Sequence, residues 1–276
     1  MIICYEEMDR IKSKWSTSKW SIIKTFIRFL ILILISINSC RSITIDELYP
    51  FGESVDESLN KEADTFVEIN LSIPIAYYQN LFPSIFVNDN GLVSFLKEIP
   101  IFYNAQFPLQ YPFIAVMYSN VDIRNRGSVY YRETKESSLL DRSTNDVQRY
   151  FNDGKNFRTQ SLFITTWDNV GRFEKLSDLV SRKKIKKFKF EMSYAIYFSF
   201  QKKNPKGNTV QLVIASNGTD SYAFIMYPED GIQWLTGHDN IEYLQHAMTQ
   251  VGFMSNEGRY YIMPGSGTEQ VKNFPR

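Results

Sequence analysis

The amino-acid sequence predicts a mainly β (α+β) protein, a single domain built on an antiparallel β-sheet or sandwich with one to three short helices. Three observations favour this class. The chain is rich in phenylalanine (21) and tyrosine (17), and these residues, like the many β-branched ones, suit pleated sheets. Apolar runs of strand length alternate with Asn-Gly, Asp-Gly and Pro-Gly turn signals, and the turns at 89–91, 217–218 and 256–258 predict hairpins between the runs on either side. A single stretch, residues 138–151, has apolar residues at clear helical spacing.

The amino-acid composition limits the classes of protein and partner that fit this chain. The chain has 276 residues, 43% of them apolar, which is enough for one large core. A formal net charge of +1 gives no global signal for nucleic acid or for acidic partners. Both cysteines, Cys4 and Cys40, lie in the first forty residues, so a disulfide framework is excluded for the rest. There is no internal repeat and no Pro/Gly-rich linker, so one domain is the simplest account.

The chain is organised around residues 163–173. The run begins with aromatic and β-branched residues, which predicts a central strand with Trp167 as a large core anchor. Phe163, Thr165 and Trp167 would then share one face of that strand. Asp168 and Asn169 are turn formers, so we expect the strand to end there in a tight corner.

The N-terminus resembles a targeting segment. Basic residues precede an uncharged, mainly apolar run of nine residues, 29–37, a length typical of a signal peptide and short for a bilayer span. Small residues allow cleavage after Ser42 or after Cys40. The long basic lead leaves an uncleaved type II membrane anchor as the alternative. Residues 1–42 hold seven of the 31 basic and three of the 30 acidic residues, so the remainder has a net charge of −3.

Further strands are predicted wherever apolar residues alternate or run continuously between turn signals. These are residues 65–71, 84–88, 92–95, 113–118, 128–134, 209–215, 221–227, 231–237, 251–253 and 260–262. The first of them should stop near Pro74, because proline cannot donate to a sheet. We expect residues 138–151 to be helical and residues 99–112 to form a packed loop.

A basic cluster is the most functional-looking surface feature. Six positive charges lie within eight residues: Arg182, Lys183, Lys184, Lys186, Lys187 and Lys189. Such a density of charge can bind sulfated glycans or an acidic membrane face. The alternative is a solvated inserted loop whose lysines protect a strand edge.

No catalytic or metal-binding constellation is recognised. The two histidines, His238 and His246, have no cysteine nearby, and exposed or capping histidines explain them better than a metal site. Ser266 lies between glycines but lacks the strand–turn–helix setting of a hydrolase nucleophile. The residues around Asn90 resemble part of a calcium loop, but Lys97 occupies the position of the required glutamate. We therefore expect no enzyme activity, no cofactor and no metal.

Two sequons, at Asn70-Leu71-Ser72 and Asn217-Gly218-Thr219, are candidate N-glycosylation sites. They agree with a secretory route, although such triplets also arise by chance.

Several segments in fixed order resemble one family, the NIDO domain, an extracellular module also found in nidogen, alpha-tectorin and mucin-4-like proteins. The matching segments are residues 48–52, 87–95, 121–134, 166–173, 208–215, 230–237, 251–253 and 264–268. The resemblance implies that residues 46–270 form a NIDO-like extracellular domain, followed by a tail at 271–276. It implies structural roles for the motif residues Trp167, Asp168, Gly171, Phe173, Gln233, Trp234 and Gly237.

The resemblance implies a secreted, non-enzymatic module in cell–matrix adhesion or extracellular matrix assembly. Its partners would be extracellular matrix or cell-surface proteins, and it would contact a membrane only if residues 1–42 stay uncleaved. Two alternatives remain: a secreted glycan- or heparin-binding module that uses the segment 182–189, and a secreted hydrolase that uses His238 or His246. Nucleic acid is not an expected partner.

Overall fold

The structure is a computed structural model that describes residues 43–99, 101–173, 207–236 and 248–274. Within these residues lie twelve β-strands, one α-helix and short 3-10 turns, which confirms the mainly β class. The strands are β1 (Glu57–Ser58), β2 (Phe66–Tyr77), β3 (Asn80–Asn88), β4 (Leu92–Ser94), β5 (Phe113–Tyr118), β6 (Val121–Asp122), β7 (Ser128–Thr134), β8 (Ser161–Arg172), β9 (Asn208–Ser216), β10 (Ser221–Met226), β11 (Gln250–Met254) and β12 (Tyr260–Ile262). The helix is α1 (Ser137–Tyr150), and the 3-10 turns are Ile45–Glu47, Gly154–Asn156 and Glu269–Asn273.

The strands form two antiparallel sheets. Sheet I has the order β1-β7-β8-β9-β10, and β6 pairs with the far end of β8. Sheet II has the order β12-β11-β5-β4-β3-β2. The predicted hairpins β3–β4, β9–β10 and β11–β12 are confirmed, since each pairs antiparallel around its turn. Short turns with Asn-Gly or a glycine explain why these local pairings could be predicted.

The main core lies between the two sheets. It contains Ile85, Val93 and Ile114 from sheet II and Phe163 and Leu212 from sheet I. Two smaller apolar clusters cover the outer faces: α1 packs on sheet I, and the loop 95–112 packs on sheet II. The central strands β5 and β9 are buried on both faces for this reason, which their continuous apolar sequences indicated.

The helix α1 confirms the prediction for residues 138–151. Leu139, Ser143 and Val147 recur every four residues and form its buried stripe. The one polar member of that stripe, Ser143, donates a hydrogen bond to the hydroxyl of Thr159 at 2.7 Å. The helix therefore packs on sheet I without leaving the buried Ser143 hydroxyl unpaired.

The predicted corner after Trp167 is wrong, because β8 continues to Arg172. The pairing with β9 shifts register between Trp167 and Val170, which is a β-bulge. Asn169 adopts a positive φ of 49° within this bulge. The turn-forming residues thus bend the strand rather than end it, because β6 and β9 supply hydrogen-bonding partners beyond the bend.

The first long strand was also predicted too short. β2 passes through Pro74 to Tyr77, and its pairing with β3 shifts register between Asn70 and Ile75. Pro74 lies inside this irregularity at a sheet edge, where a missing N–H costs no ladder bond. Its carbonyl accepts a hydrogen bond from the hydroxyl of Ser216 at 2.7 Å, so the bent strand joins the two sheets.

The strand predicted at 231–237 is absent from the part of that segment which the structure describes. Residues 231–234 are irregular, and Thr236 forms an isolated bridge with Met248. The backbone of Gln233 and Trp234 bonds to the side chain of Asn208, and the carbonyl of Gly231 accepts from the amide of Thr209 in β9 at 2.7 Å, so no regular strand pairing forms. Gly237 lies outside the described residues, as do residues 1–42, the basic cluster 182–189 and both histidines.

Residues near both ends of the described chain contact the body of the fold. The 3-10 turn Glu269–Asn273 places Val271 in the main core with 1% of its surface exposed. At the other end the carbonyl of Ile43 accepts a hydrogen bond from the amide of Glu229 at 2.7 Å.

The entry segment is held on sheet I by one buried glutamine. The amide of Tyr49 donates to Oε1 of Gln211 at 2.8 Å, and Nε2 of Gln211 donates to the Tyr49 carbonyl at 2.9 Å. The same Nε2 donates to the Thr166 hydroxyl at 2.8 Å. The guanidinium of Arg142 lies 3.9 Å from the Tyr49 ring centroid. The segment therefore docks as if it were a further strand, although a side chain supplies the partners.

We expect Gln211→Ala to lower the free energy of unfolding by about 2–3 kcal/mol, because it leaves the buried amide and carbonyl of Tyr49 without partners. Urea unfolding followed by tryptophan fluorescence measures this change. Gln160→Ala, at an exposed position with no side-chain hydrogen bond given by the structure, is the matched control. Equal stability of the two variants would show that Gln211 does not hold the entry segment.

Candidate functional site

The motif residues around Trp167 meet where the two sheets join. The Trp167 side chain is fully buried, and its Nε1 donates to the carbonyl of Asn88 at 3.0 Å. Asn88 ends β3 in sheet II, whereas Trp167 lies in β8 of sheet I. One indole thus fills the core and ties the sheets through a directional bond.

The turn after β3 is buried rather than solvent-exposed. Asn90 is fully buried, and its Oδ1 accepts from the amide of Val121 at 2.9 Å. The carbonyl of Gly91 accepts from the amides of Val116 and Met117. Gly91 has a φ of 81°, and an added Cβ would lie 2.3 Å from the Met117 carbonyl oxygen. The motif at 87–95 therefore lies inside the fold, where the two sheets join. Its close approach to Met117 requires glycine at position 91.

Asp89 lies in the same turn, and the burial of its side chain is the least expected feature of this site. Its side chain is fully buried, and neither carboxylate oxygen has a hydrogen-bonding partner within the described residues. Desolvation raises the pKa of Asp89 to about 8, and the nearby charge of Asp64 adds to the rise. The backbone amides of Thr65 and Asn90 lie close enough to oppose it partly. At neutral pH the carboxyl therefore holds its proton.

Other charges in this region are already paired or bonded. Arg124 forms a two-point salt bridge with Asp122, at 3.0 Å through Nε and 2.8 Å through Nη2. Oδ1 of Asp64 accepts from the side-chain amide of Asn90 at 3.2 Å. The described residues contain no group of three or more His, Cys, Asp or Glu side chains placed to hold a metal ion.

A second group of motif residues is organised by Asn208. Its Oδ1 accepts from the amides of Gln233 and Trp234 at 2.7 and 3.0 Å, and its Nδ2 donates to the Trp234 carbonyl at 2.8 Å. Nε1 of Trp234 donates to the carbonyl of Val170 at 3.0 Å. The segment after β10 is thereby fastened to the bulge of β8.

The remaining motif residues lie on the other side of that bulge. Gly171 approaches β6 so closely that an added Cβ would lie 2.9 Å from the Asp122 carbonyl oxygen. The amide of Phe173 donates to the carbonyl of Asn120 at 3.2 Å. Burial raises the pKa of Asp168, while hydrogen bonding by Thr209 opposes the rise. These contacts give the motif residues packing and bonding roles around the bulge.

The Asn70 sequon lies on the outer edge of sheet II. Asn70 is exposed in β2, and Ser72 of the same sequon contacts Glu133 of sheet I. The Ser72 amide donates to Oε2 of Glu133 at 2.8 Å, and its hydroxyl donates to Oε1 at 2.7 Å. The asparagine is open to a glycan, while the serine helps to hold the sheets together.

The Asn217 sequon forms the turn between β9 and β10. Oδ1 of Asn217 accepts from the amide and the hydroxyl of Thr219, both at 2.9 Å, and from the amide of Asp220 at 2.7 Å. This network uses the side-chain oxygen and orders the turn. The side-chain nitrogen, to which a glycan would attach, takes no part in it.

The sequence pattern did not reveal the burial of Asp89 or the exposed aromatic side chains of the loop 95–112. The sequence pattern predicts only that Asp89 lies in a hairpin turn, and no local signal distinguishes a buried turn from an exposed one. Residues 99–112 are predicted to form a packed loop, but the pattern does not show which of their aromatic side chains face the sheet and which are exposed. None of the helices in the described part of the chain has the length and apolar character that a bilayer span needs.

The geometry defines a class: a two-sheet β-sandwich module whose motif residues, where the structure describes them, serve the junction between sheets and the bulge of β8. The chain belongs to the nidogen-like (NIDO) domain family, which it matches over residues 83–276. No solved structure significantly matches the chain.

Individual relatives agree with this assignment. The chain is 29% identical to nidogen of Drosophila melanogaster over 238 residues, which covers 84% of this chain and 16% of that protein. It is 30% identical to human alpha-tectorin over 234 residues, or 82% of this chain and 10% of that protein. Mouse nidogen-2 is 29% identical over 264 residues, or 89% of this chain and 17% of that protein. The chain thus spans less than a fifth of the length of each of these relatives.

Proposed function

We propose that this chain is a secreted, non-enzymatic NIDO module that serves cell–matrix adhesion or extracellular matrix assembly. The observation that carries the proposal is family membership over residues 83–276 together with a signal-like N-terminus. The relatives named nidogen and alpha-tectorin support it. Its partners would be matrix or cell-surface proteins.

A C-terminally tagged full chain expressed in animal cells tests the export step. We expect the protein in the medium, with an N-terminus at Ile43, or at Arg41 if cleavage follows Cys40. Retention in the cytosol would contradict the proposal, and release from the membrane only by detergent would favour the uncleaved anchor. Adhesion of cells to a surface coated with the secreted protein, compared with a coat of albumin, tests the adhesive role.

We expect both sequons to carry N-glycans in the secreted protein, because neither asparagine nitrogen takes part in a side-chain hydrogen bond given by the structure. Peptide-N-glycosidase F should remove two glycans from the wild-type protein and increase its electrophoretic mobility. Asn70→Gln and Asn217→Gln should each abolish one of the two glycans and therefore part of that mobility shift. Substitution at Asn70 is preferred to Ser72→Ala, which would also break the contact with Glu133. A secreted wild-type protein whose mobility the glycosidase leaves unchanged would contradict this prediction.

Sulfated glycans are the second candidate partner, because six basic residues lie within 182–189 in a remainder whose net charge is negative. Serine at Lys183, Lys184, Lys186 and Lys187 should make the protein elute from heparin at lower salt. The matched control, which removes the same charge elsewhere, places serine at Lys135, Arg149, Lys155 and Lys272, all exposed. Equal elution of the two variants would exclude this use of the basic cluster.

A further inference from the structure

The loop between β4 and β5, residues 95–112, is long and has no strand or helix of its own among its described residues. Its two ends meet, since the amide of Phe95 donates to the carbonyl of Pro112 at 3.1 Å. On its inner side Phe107 packs against Phe113 and Tyr118 of sheet II. Loops of this length inside a compact domain are usually functional.

Dedicated side chains hold the backbone of this loop in place. The hydroxyl of Tyr118 accepts from the amide of Tyr103 at 2.8 Å and donates to its carbonyl at 3.1 Å. Gln250 accepts from the amide of Phe107 at 2.8 Å and donates to the carbonyl of Ala105 at 2.7 Å. The conformation is therefore set before any partner arrives, which lowers the entropic cost of association.

The outer side of the loop displays apolar and aromatic side chains. Leu96, Ile101, Tyr103 and Tyr111 are 56%, 52%, 55% and 41% exposed. The backbone of Tyr103 is fixed by Tyr118 while its ring projects into solvent. Rigidly held tyrosines with apolar neighbours are typical of the centres of protein–protein interfaces.

The charges of the loop are few and self-complementary. Lys97 and Glu98 are adjacent and exposed, and they are the only charged residues in 95–112. The Lys97 ammonium lies 4.8 Å from the centroid of the Tyr111 ring, beside the apolar surface. A neutral surface of this kind offers little to a sulfated glycan. Across a twofold axis, however, Lys97 of one copy would face Glu98 of the other.

We propose that loop 95–112 is a self-association surface through which two copies of this chain form a twofold-symmetric dimer. The exposed rings and apolar side chains of the two loops bury one another, and the Lys97–Glu98 pairs set the register. In this arrangement each copy supplies both charges, so one interface contains two equivalent ion pairs. This proposal does not depend on the adhesive role.

Sedimentation velocity of the secreted protein over a range of concentrations tests the proposal. We expect a concentration-dependent monomer–dimer equilibrium. Lys97→Glu and Glu98→Lys should each weaken dimerisation about tenfold or more, because each places like charges opposite one another. The double variant with both substitutions should recover most of the lost affinity, since the opposite charges meet again.

Tyr103→Ser should also weaken dimerisation, whereas Tyr150→Ser, on the helix that covers sheet I, should have no effect. Far-ultraviolet circular dichroism confirms that each variant is folded. A wild-type protein that stays monomeric at all concentrations would overturn the proposal. So would a dimer that the Lys97, Glu98 and Tyr103 variants leave unchanged.

Discussion

Replacing Trp167 by alanine will lower the free energy of unfolding by about 3–5 kcal/mol, the cost of emptying a large aromatic site in a core. The side chain is fully buried between the sheets, so the cavity opens at the centre of the main cluster. The substitution also removes the donor to the Asn88 carbonyl. Urea unfolding, followed by far-ultraviolet circular dichroism, measures the change.

Trp167→Phe separates the two contributions and remains informative if the alanine variant does not fold. It keeps most of the apolar volume but removes the indole donor to the buried Asn88 carbonyl, so we expect a loss of about 1–3 kcal/mol. Tyr150→Ala, at an exposed position on α1, is the control for removal of an aromatic ring. If Trp167→Ala destabilised the protein no more than Tyr150→Ala, Trp167 would not be the anchor between the sheets.

Replacing Asp89 by asparagine will stabilise the protein at alkaline pH. Burial raises the folded-state pKa of Asp89 from 3.8 to about 8, so the folded state binds a proton that the unfolded state has lost. As pH rises between these two values, this group subtracts up to about 1.4 kcal/mol of stability per pH unit. Asparagine cannot ionise, and its shape matches the protonated acid. We expect a gain of roughly 2–4 kcal/mol near pH 9.

The pH profile of stability is the deciding measurement for Asp89. The difference between Asp89→Asn and wild type should be smallest near pH 4 and should grow until it levels off above about pH 8. Asp141→Asn, at an exposed position on α1, controls for the loss of one negative charge. A difference that does not depend on pH would show that Asp89 does not titrate in the folded protein.

The elements that could be predicted from sequence are those that depend on local pattern. β7 has the predicted bounds, and α1 differs from its predicted range by one residue at each end. Two of the errors share one cause: strands passed through residues that usually end them. Pro74 and Asn169 both lie in bulges whose continuation depends on partners far along the chain. The pattern within a segment cannot show such partners.

The candidate site divides in the same way. Residue type and spacing are enough to predict the sequons at Asn70 and Asn217 and the core position of Trp167. The buried state of Asp89 and the exposed ring of Tyr103 do not. Both depend on which surface another element covers: the turn of Asp89 is enclosed between the sheets, and Tyr103 lies on a loop whose inner side chains fill the face of sheet II.

For this protein the sequence by itself determined the mainly β class, the hairpins and the family, because backbone preference and turn chemistry act over a few residues. Only the tertiary structure decided that a turn becomes the junction of two sheets, that an aspartate keeps its proton and that a neutral loop displays its aromatic rings. The physical reason is burial: it is a property of all the elements that surround a residue, and it controls solvation, pKa and exposure together.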